Sequence, residues 1–510
     1  MIDRIKLCES VKHKIDFDII IIGKGASVDQ IHIDSFKNKI IINANDSESI
    51  VVGDIGVFHH SWVLDRFKFE KPACKLYVTN NVMPNGVNSL YADLVQPNQE
   101  PELFINRFFD TETIWLEAES IINCLRIANE LAESLNSRKK VYLFGFDFSM
   151  DTGFSKSIKD GFHGHEKDYV SHLIHTQELY LERLLQFRDR LKIDVIHIGN
   201  RAYSMYSVEA FNAMLATPVE FPKVAHATIS ELSRSYDVSV VAEITTNHFG
   251  DRDRLRAMIH LAKISGADYI KLQKRHVDTF YTTDVLNKPY DSPFGKSFRD
   301  YRIGLELTEG DFEWVDSYCR KIGIGWFASI LDSHSFEFIK SFNCDIIKLP
   351  STISEKKDYL AKVGKEWSGG VVISTGMTDL SYEDFIFNAF SACKRIFLLQ
   401  CTSAYPASEF DAAIAVVRHY RDLSFQDNRI SPGYSSHDIG SFCSQLSVAA
   451  GAKMIEKHVK LGKVTWAHFD DVAIDLSTNE FKDFVNDIRR AEKICGSEIK
   501  KISLAEHHKY

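Results

Sequence analysis

The sequence predicts an α/β protein in two parts: an N-terminal Rossmann-like parallel-sheet domain over residues 1–215 and a C-terminal (β/α)8 TIM barrel over 237–510, with a linker at 216–236. Three observations carry this expectation. Apolar runs of strand length alternate with helical segments along the chain, the rhythm changes near Ala216, and eight strand-helix units follow in about 260 residues.

In the first part, Asp16-Phe17-Asp18 leads into four consecutive isoleucines (19–22) that break into the turn Gly23-Lys24-Gly25-Ala26-Ser27. Further strand-like runs lie at 39–45, 75–81, 140–148 and 194–200, and Trp115 to Ser137 has helical spacing. Near-continuous apolar strands between helices point to a parallel sheet covered on both faces. Residues 216–236 hold Pro218 and Pro222 without a strong period and read as a linker. Beyond it the expected strands are 238–248, 269–273, 325–329, 345–351, 371–376, 396–403, 430–437 and 453–458. The first helix between them presents Leu255, Met258, Ile259 and Ala262 on one face, with Gly266 placed to stop it.

Composition narrows the function classes. Lys and Arg number 61 against 70 Asp and Glu, a net charge of −9 with no extended basic run, so binding nucleic acid or an anionic membrane is not expected as the main task. No apolar run approaches the roughly 18–20 residues of a membrane span, and the first residues lack the apolar core of a signal peptide. A cytoplasmic location is expected. The nine cysteines are dispersed with no C-x-x-C pair, which suggests neither a disulfide framework nor a structural zinc site.

Catalytic groups of a closed barrel gather at the C-terminal ends of its strands. Those ends carry Glu243, Asn247 and His248; Lys271 and Gln273; Ser329; Lys348 and Ser351; Ser374 and Thr375; Thr402, Ser403 and Tyr405; Ser435, Ser436 and His437; and Glu456, Lys457 and His458. Lysines with hydroxyls suit a phosphate or carboxylate, and two imidazoles on neighbouring strands suit a divalent metal with open positions. An unpaired lysine inside an apolar strand is expensive, so an anionic ligand is expected on Lys271 and Lys348 rather than a structural ion pair.

The strings AEITTNHFGD (242–251), ADYIKLQ (267–273), LELTEGDF (305–312), STGM (374–377), CTSAYP (401–406), GYSSH (433–437) and IEKH (455–458) resemble the barrel of the sialic acid synthase family over about 238–500. The resemblance implies condensation of phosphoenolpyruvate with an open-chain aldose, release of phosphate, and dependence on Mn2+ or Mg2+. It implies His437 and His458 as metal ligands and Glu243 as the group that orients water or moves protons near C2 of phosphoenolpyruvate. Lys271 and Lys348, helped by Ser351, Ser374 and Ser435, match the groups holding its phosphate and carboxylate; Asn247, Gln273, Ser329 and Ser403 join them as candidate substrate contacts. Tyr405 matches a substrate-side tyrosine, and Asp470 or Asp471 an aspartate that follows the eighth strand.

Departures fall on the acceptor side. Ser351-Thr352-Ile353 replaces a motif with a carboxylate, Ser329-Ile330-Leu331 lacks a threonine, and Thr465-Trp466-Ala467-His468-Phe469 replaces a proline-glycine-proline run. The family's antifreeze-like domain, which lends an arginine to the partner subunit, is not expected here; a homodimer remains compatible with the resemblance. A synthase acting on a phosphorylated sugar, or a non-catalytic sugar-binding barrel beside an active N-terminal transferase, stand as alternatives.

The N-terminal turn at Gly23 has neither a P-loop ending nor a third dinucleotide-type glycine. With INANDS (42–47), KKVYLFGFDFS (139–149) and the segment holding His163 and His165, it resembles bacterial sialyltransferase-like and Maf-type flagellin glycosyltransferase domains. That implies binding or transfer of a CMP-activated sugar, with Gly23, Gly25, Ser27, Asn45 and Asp46 near the nucleotide, Asp147 near the sugar and His163 as a general acid or base.

Overall fold

The computed structural model describes residues 3–95, 103–216, 237–342, 344–464, 466–467, 471–503 and 506; beyond Ala216 the expected linker lies outside the described residues. The chain divides into two compact units, Met1–Leu215 and Ala216–Tyr510. Among the described residues no helix is long and apolar enough to cross a membrane.

The first unit is built on seven parallel strands: β1 (Ile19–Ile22), β2 (Ile40–Ala44), β3 (Ile55–Val57), β4 (Leu76–Thr79), β5 (Ser89–Tyr91), β6 (Lys139–Phe144) and β7 (Ile193–His197). Their order is β5-β4-β3-β2-β1-β6-β7. All four β1 isoleucines are fully buried, as β-branched residues covered on both faces should be. The chain runs outward from β1 to β5 and returns to β6 on the other side of β1, so a topological switch point lies between β1 and β6. Helix α1 (Ser120–Ser134) has an unbroken run of buried residues from Ser120 to Ala132. The helical stretch expected from Trp115 is shorter than its pattern: Trp115–Leu116 pairs in parallel with Asp93–Leu94, and the helix begins only at Ser120.

The second unit is a closed parallel barrel of β8 (Ser239–Thr245), β9 (Tyr269–Lys274), β10 (Gly325–Ile330), β11 (Ile346–Leu349), β12 (Gly370–Ser374), β13 (Arg395–Gln400), β14 (Ile430–Ser436) and β15 (Met454–Lys460). Neighbours follow chain order, and β8 closes on β15 in the register Ser239↔Met454 to Glu243↔His458. The expected apolar face of helix α2 (Arg252–Ile264) is fully buried, and Gly266 takes φ +97° just beyond its end. Helix α3 (Glu309–Ile322) opens with a capping box of Thr308 and Asp311 and ends on Gly323 at φ +70°.

The barrel interior is layered. Val241, Tyr269, Phe327, Val372, Phe397, Leu399 and Met454 pack into one apolar plug, with Ile346 against it. Side chains alternate along a strand, so the residues two positions further on also face inward and form the next layer: Glu243, Lys271, Ser329, Lys348, Ser374 and Glu456. The plug is therefore the floor of the charged layer. Truncating it in Phe327→Ala is expected to destabilise the barrel by about 3–5 kcal/mol, measured by denaturant unfolding of the full chain.

Candidate active site

The charged layer is held together by strand register. Glu243 on β8 lies opposite Lys271 on β9, and Ser435 on β14 opposite Glu456 on β15. Glu456 is the hub: its Oε1 accepts from Lys271 Nζ at 3.2 Å, Lys348 Nζ at 3.0 Å and Ser435 Oγ at 3.2 Å. Lys271 also donates to Glu243, and Lys348 donates to Ser374 Oγ at 2.6 Å. All four charged side chains are buried, Lys271, Lys348 and Glu456 to 2% exposure or less. The two lysines thus meet two carboxylates of the chain itself. The expectation that an anionic ligand, and not an ion pair, accounts for their burial is corrected on this point, because the register brings Glu243 and Glu456 to Lys271, and Glu456 to Lys348.

The pairing sets the protonation. Burial opposes the charge on Glu243, yet Lys271 and Lys348 hold its carboxyl down to about 2. Burial likewise opposes the Lys271 ammonium, and Glu243 and Glu456 overcome it and raise its pKa. For Lys348 burial wins, and its pKa is lowered despite Glu456, with the Lys271 charge acting in the same direction as burial.

Above this layer stand His437 and His458, ring centroids 5.6 Å apart. Burial lowers the pKa of both, further for His458, which feels His437 and Lys271, so both are neutral imidazoles. His437 Nδ1–H donates to the Thr402 carbonyl at 2.7 Å, leaving Nε2 as its lone-pair nitrogen. His458 Nε2 lies 3.6 Å from Glu243 Oε2. Two neutral, buried imidazoles, one of them with its tautomer fixed by a backbone carbonyl, fit a divalent metal. Among the described residues no set of three His, Cys, Asp or Glu side chains forms a metal cluster.

The remaining barrel candidates separate. Ser351 and Ser403 are hydrogen-bonded to each other at 2.9 Å, and the Tyr405 ring lies tilted against His437 with centroids 4.3 Å apart. Ser329 is buried in the charged layer, and Gln273 Nε2 is buried without a hydrogen-bond partner. Asn247 spends its amide on the Val459 carbonyl at 2.8 Å, tying the loop after β8 to β15. Asp471 is exposed, and Asp470, with Thr465, His468 and Phe469, lies outside the described residues. Trp466 is buried against Phe249 and Tyr301, and its carbonyl accepts from Tyr290 OH at 2.7 Å. Glu456 was present in the strand-end pattern but was not singled out as a site residue; its position two residues before His458 is the signal, since both then share the inward face.

In the N-terminal unit a cavity of about 100 Å3 opens at the switch point, lined by Gly23, Lys24, Gly25, Asn45, Ser120 and Asp147 among others. A Cβ at Gly23 would sit 2.4 Å from the Gly145 carbonyl oxygen and one at Gly25 2.5 Å from Asp147 Oδ2, so close packing requires both glycines. Asn45, at φ +55°, donates to Ser120 Oγ at 2.8 Å while its Oδ1 has no hydrogen-bond partner. Asp147 accepts from the Ser27 N–H at 3.0 Å and from the Ser27 hydroxyl; both its oxygens hold the glycine turn. At the rim His163 Nε2 is 2.8 Å from Lys24 Nζ, Asp46 lies 3.4 Å from Lys24, and Trp62 stacks on His163 at 3.5 Å. Lys24 and Trp62 were not among the expected residues. Lys24 sat unremarked between two glycines, and Trp62 is distant in sequence from all of them.

Fold and site together define a (β/α)8 protein with a buried, charge-paired mouth and two neutral histidines above it. Residues 258–500 match the NeuB family. The chain is 35% identical over 266 residues to the N-acetylneuraminate-9-phosphate synthase of Mus musculus, covering 52% of this chain and 72% of that protein. It is 30% identical over 275 residues to the N,N'-diacetyllegionaminic acid synthase of Legionella pneumophila (52% and 75%) and 30% identical over 278 residues to the pseudaminic acid synthase of Helicobacter pylori (52% and 77%). The chain belongs to the NeuB family.

The depressed Glu243 pKa fixes a pH dependence. A carboxyl moved from its ordinary 4.5 down to about 2 contributes stability that is full above 4.5 and is lost as pH falls through 2. Wild-type stability is therefore expected to fall more steeply than that of Glu243→Gln between these values, measured by denaturant unfolding at stepped pH.

Proposed function

We propose that the barrel condenses phosphoenolpyruvate with an N-acylated hexosamine or a related aldose, giving a nonulosonic or ulosonic acid and inorganic phosphate. The observation that carries this reading is the charged layer of Glu243, Lys271, Lys348 and Glu456 lying immediately below the His437–His458 pair. Family membership and relatives named as synthases of three such acids support it.

Lys271 and Lys348, with Ser351, Ser374 and Ser435, bind the phosphate and carboxylate of phosphoenolpyruvate. Its C3 bonds to the aldehyde carbon, whose oxygen takes up a proton; water adds at C2 and loses a proton, and the C–O bond to phosphate then breaks as the C2 hydroxyl gives up its own proton, leaving the keto acid and inorganic phosphate. Glu243, ionised throughout the neutral range, orients that water as a carboxylate. Tyr405, beside His437, bounds the acceptor side, with Asn247, Gln273, Ser329 and Ser403 completing the surround. His437 and His458 would hold Mn2+ or Mg2+, which when bound polarises the sugar aldehyde as a Lewis acid.

Phosphate release from phosphoenolpyruvate with Mn2+ and a panel of aldoses tests this. Because one relative's name specifies a 9-phosphate, the panel includes sugar phosphates, and turnover confined to those selects a phosphorylated acceptor. Release is expected to fall about 100-fold in Glu243→Gln, in line with misplacement of the attacking water, and to disappear in His437→Ala. Absence of turnover with every aldose and sugar phosphate overturns the reading and favours the barrel as a sugar-binding scaffold.

For the N-terminal unit we propose binding of the CMP-activated form of the same acid in the switch-point cavity. Supporting this are Ser120 at the N-terminus of α1, the unpartnered Asn45 Oδ1, and Lys24 with His163 at the rim. CMP is expected to raise the melting temperature of the wild type and not of Asn45→Ala; no shift in the wild type at millimolar CMP refutes nucleotide binding.

A further inference from the structure

The last residue of β8 is out of place by ordinary backbone rules. Thr245 sits at φ +54°, in the left-handed region that glycine enters freely and a β-branched residue avoids. It is buried, and the β8–β9 register slips between Glu243 and Thr245, a local irregularity of the kind that re-aims side chains beside active sites. What the strained backbone delivers is a hydroxyl between two site residues: Thr245 Oγ1 lies 3.2 Å from Glu243 Oε1 and 3.5 Å from His458 Nδ1.

We propose that Thr245 is a positioning residue that sets the Glu243 carboxylate and the His458 ring relative to each other and so presents His458 Nε2 toward the metal. The hydroxyl has one proton. Glu243 Oε1 is an acceptor, so that proton goes to it, and the oxygen lone pair faces His458. His458 Nδ1 is then the N–H nitrogen and Nε2 the lone-pair nitrogen, on the side where Glu243 Oε2 stands at 3.6 Å. The Thr402 carbonyl does the same for His437 through its Nδ1 at 2.7 Å. Both histidines are thereby held with Nδ1 donating, the arrangement by which outer hydrogen bonds orient metal-binding imidazoles. A glycine at 245 would relieve the backbone and lose the hydroxyl. The site thus keeps a side chain against its backbone preference, which directs attention to the function of that side chain.

This inference rests on the assignment of His437 and His458 as metal ligands, not on turnover. The test compares the full-length wild type with Thr245→Gly, Thr245→Ala and Thr245→Ser, reading Mn2+ affinity by electron paramagnetic resonance, melting temperature without metal, and kcat and KM where turnover is measurable. Thr245→Gly is expected to melt no lower than the wild type while binding Mn2+ about 10-fold or more weakly, and Thr245→Ala to bind it equally weakly. Thr245→Ser restores the hydroxyl and is expected to stay within about 3-fold of the wild type. Wild-type Mn2+ affinity in Thr245→Gly or Thr245→Ala overturns the proposal, as does a Thr245→Ser variant as weak as Thr245→Ala. A wild type that binds Mn2+ no better than His437→Ala overturns it at its base. A wild type that binds Mn2+ through His437 but turns over no sugar refutes the synthase reading alone and leaves this one standing.

Discussion

The barrel depends on one interaction: the neutralisation of two buried lysines by two buried carboxylates. An ammonium taken out of water costs several kcal/mol even after relaxation, and removing one member of a buried pair typically destabilises by about 3–5 kcal/mol. Here Lys271 and Lys348 converge on a single oxygen of Glu456, Ser435 donates to the same atom, and Glu243 takes the remaining pull of Lys271. The layer carries as many negative as positive charges, so it can lie on an apolar floor. Its members are not equivalent. Lys271, between two carboxylates, has its ammonium reinforced, whereas burial weakens that of Lys348, which meets one carboxylate and the neutral Ser374 hydroxyl. Under the proposed function, an arriving anion would meet a site whose charges are already paired and would have to add to or redistribute those pairs.

The floor and the pairs come from the same geometry. Alternation of side chains along parallel strands puts Val241, Tyr269, Phe327 and Met454 at one level and Glu243, Lys271, Ser329 and Glu456 at the next. The same alternation sends Lys457 outward, where it meets Ser436 Oγ and the Asp438 carbonyl and lies over Phe484 of the final helix, away from the residues on either side of it. Within Glu-Lys-His (456–458) a slip of one residue would exchange a structural lysine for the two site residues. Closure of β8 on β15 fixes that register by pairing Glu243 with His458.

The eight barrel strands could be read from the sequence because strands buried on both faces are short apolar runs between helical periods, a signal that needs no knowledge of neighbours. The charge pairing could not be read in that way. Lys271 and Glu456 are 185 residues apart, and only closure brings them to 3.2 Å, so a lysine that looked unpaired in sequence is paired in space. Short elements escaped for a different reason: Ile55–Val57 and Ser89–Tyr91 are three residues each, below the length at which a period can be seen, and exist because β2 and β4 offer them a ladder. Asp147 was visible as a strand-end carboxylate, but its attachment to Ser27, 120 residues earlier, turns it from a free acceptor into a brace for the glycine turn.

Both units place their polar clusters at the C-terminal ends of parallel strands, where strand carbonyls, helix N-termini and loop amides converge, yet the two clusters follow different electrostatic logic. In the barrel the charges are enclosed and balanced, and burial favours the neutral form of the histidines above them. At the N-terminal switch point the cation is at the rim: burial lowers the Lys24 pKa against the pull of Asp46, and the same lysine helps lower that of His163, 2.8 Å away. A lysine next to a histidine nitrogen can donate to it only while the histidine is neutral. Under the proposed function, an anion entering that cavity would strengthen the lysine's charge and, through the shared contact, alter what His163 can accept. In the barrel, Glu456 and Glu243 already hold the lysines, so an anion there would have to share them with those carboxylates.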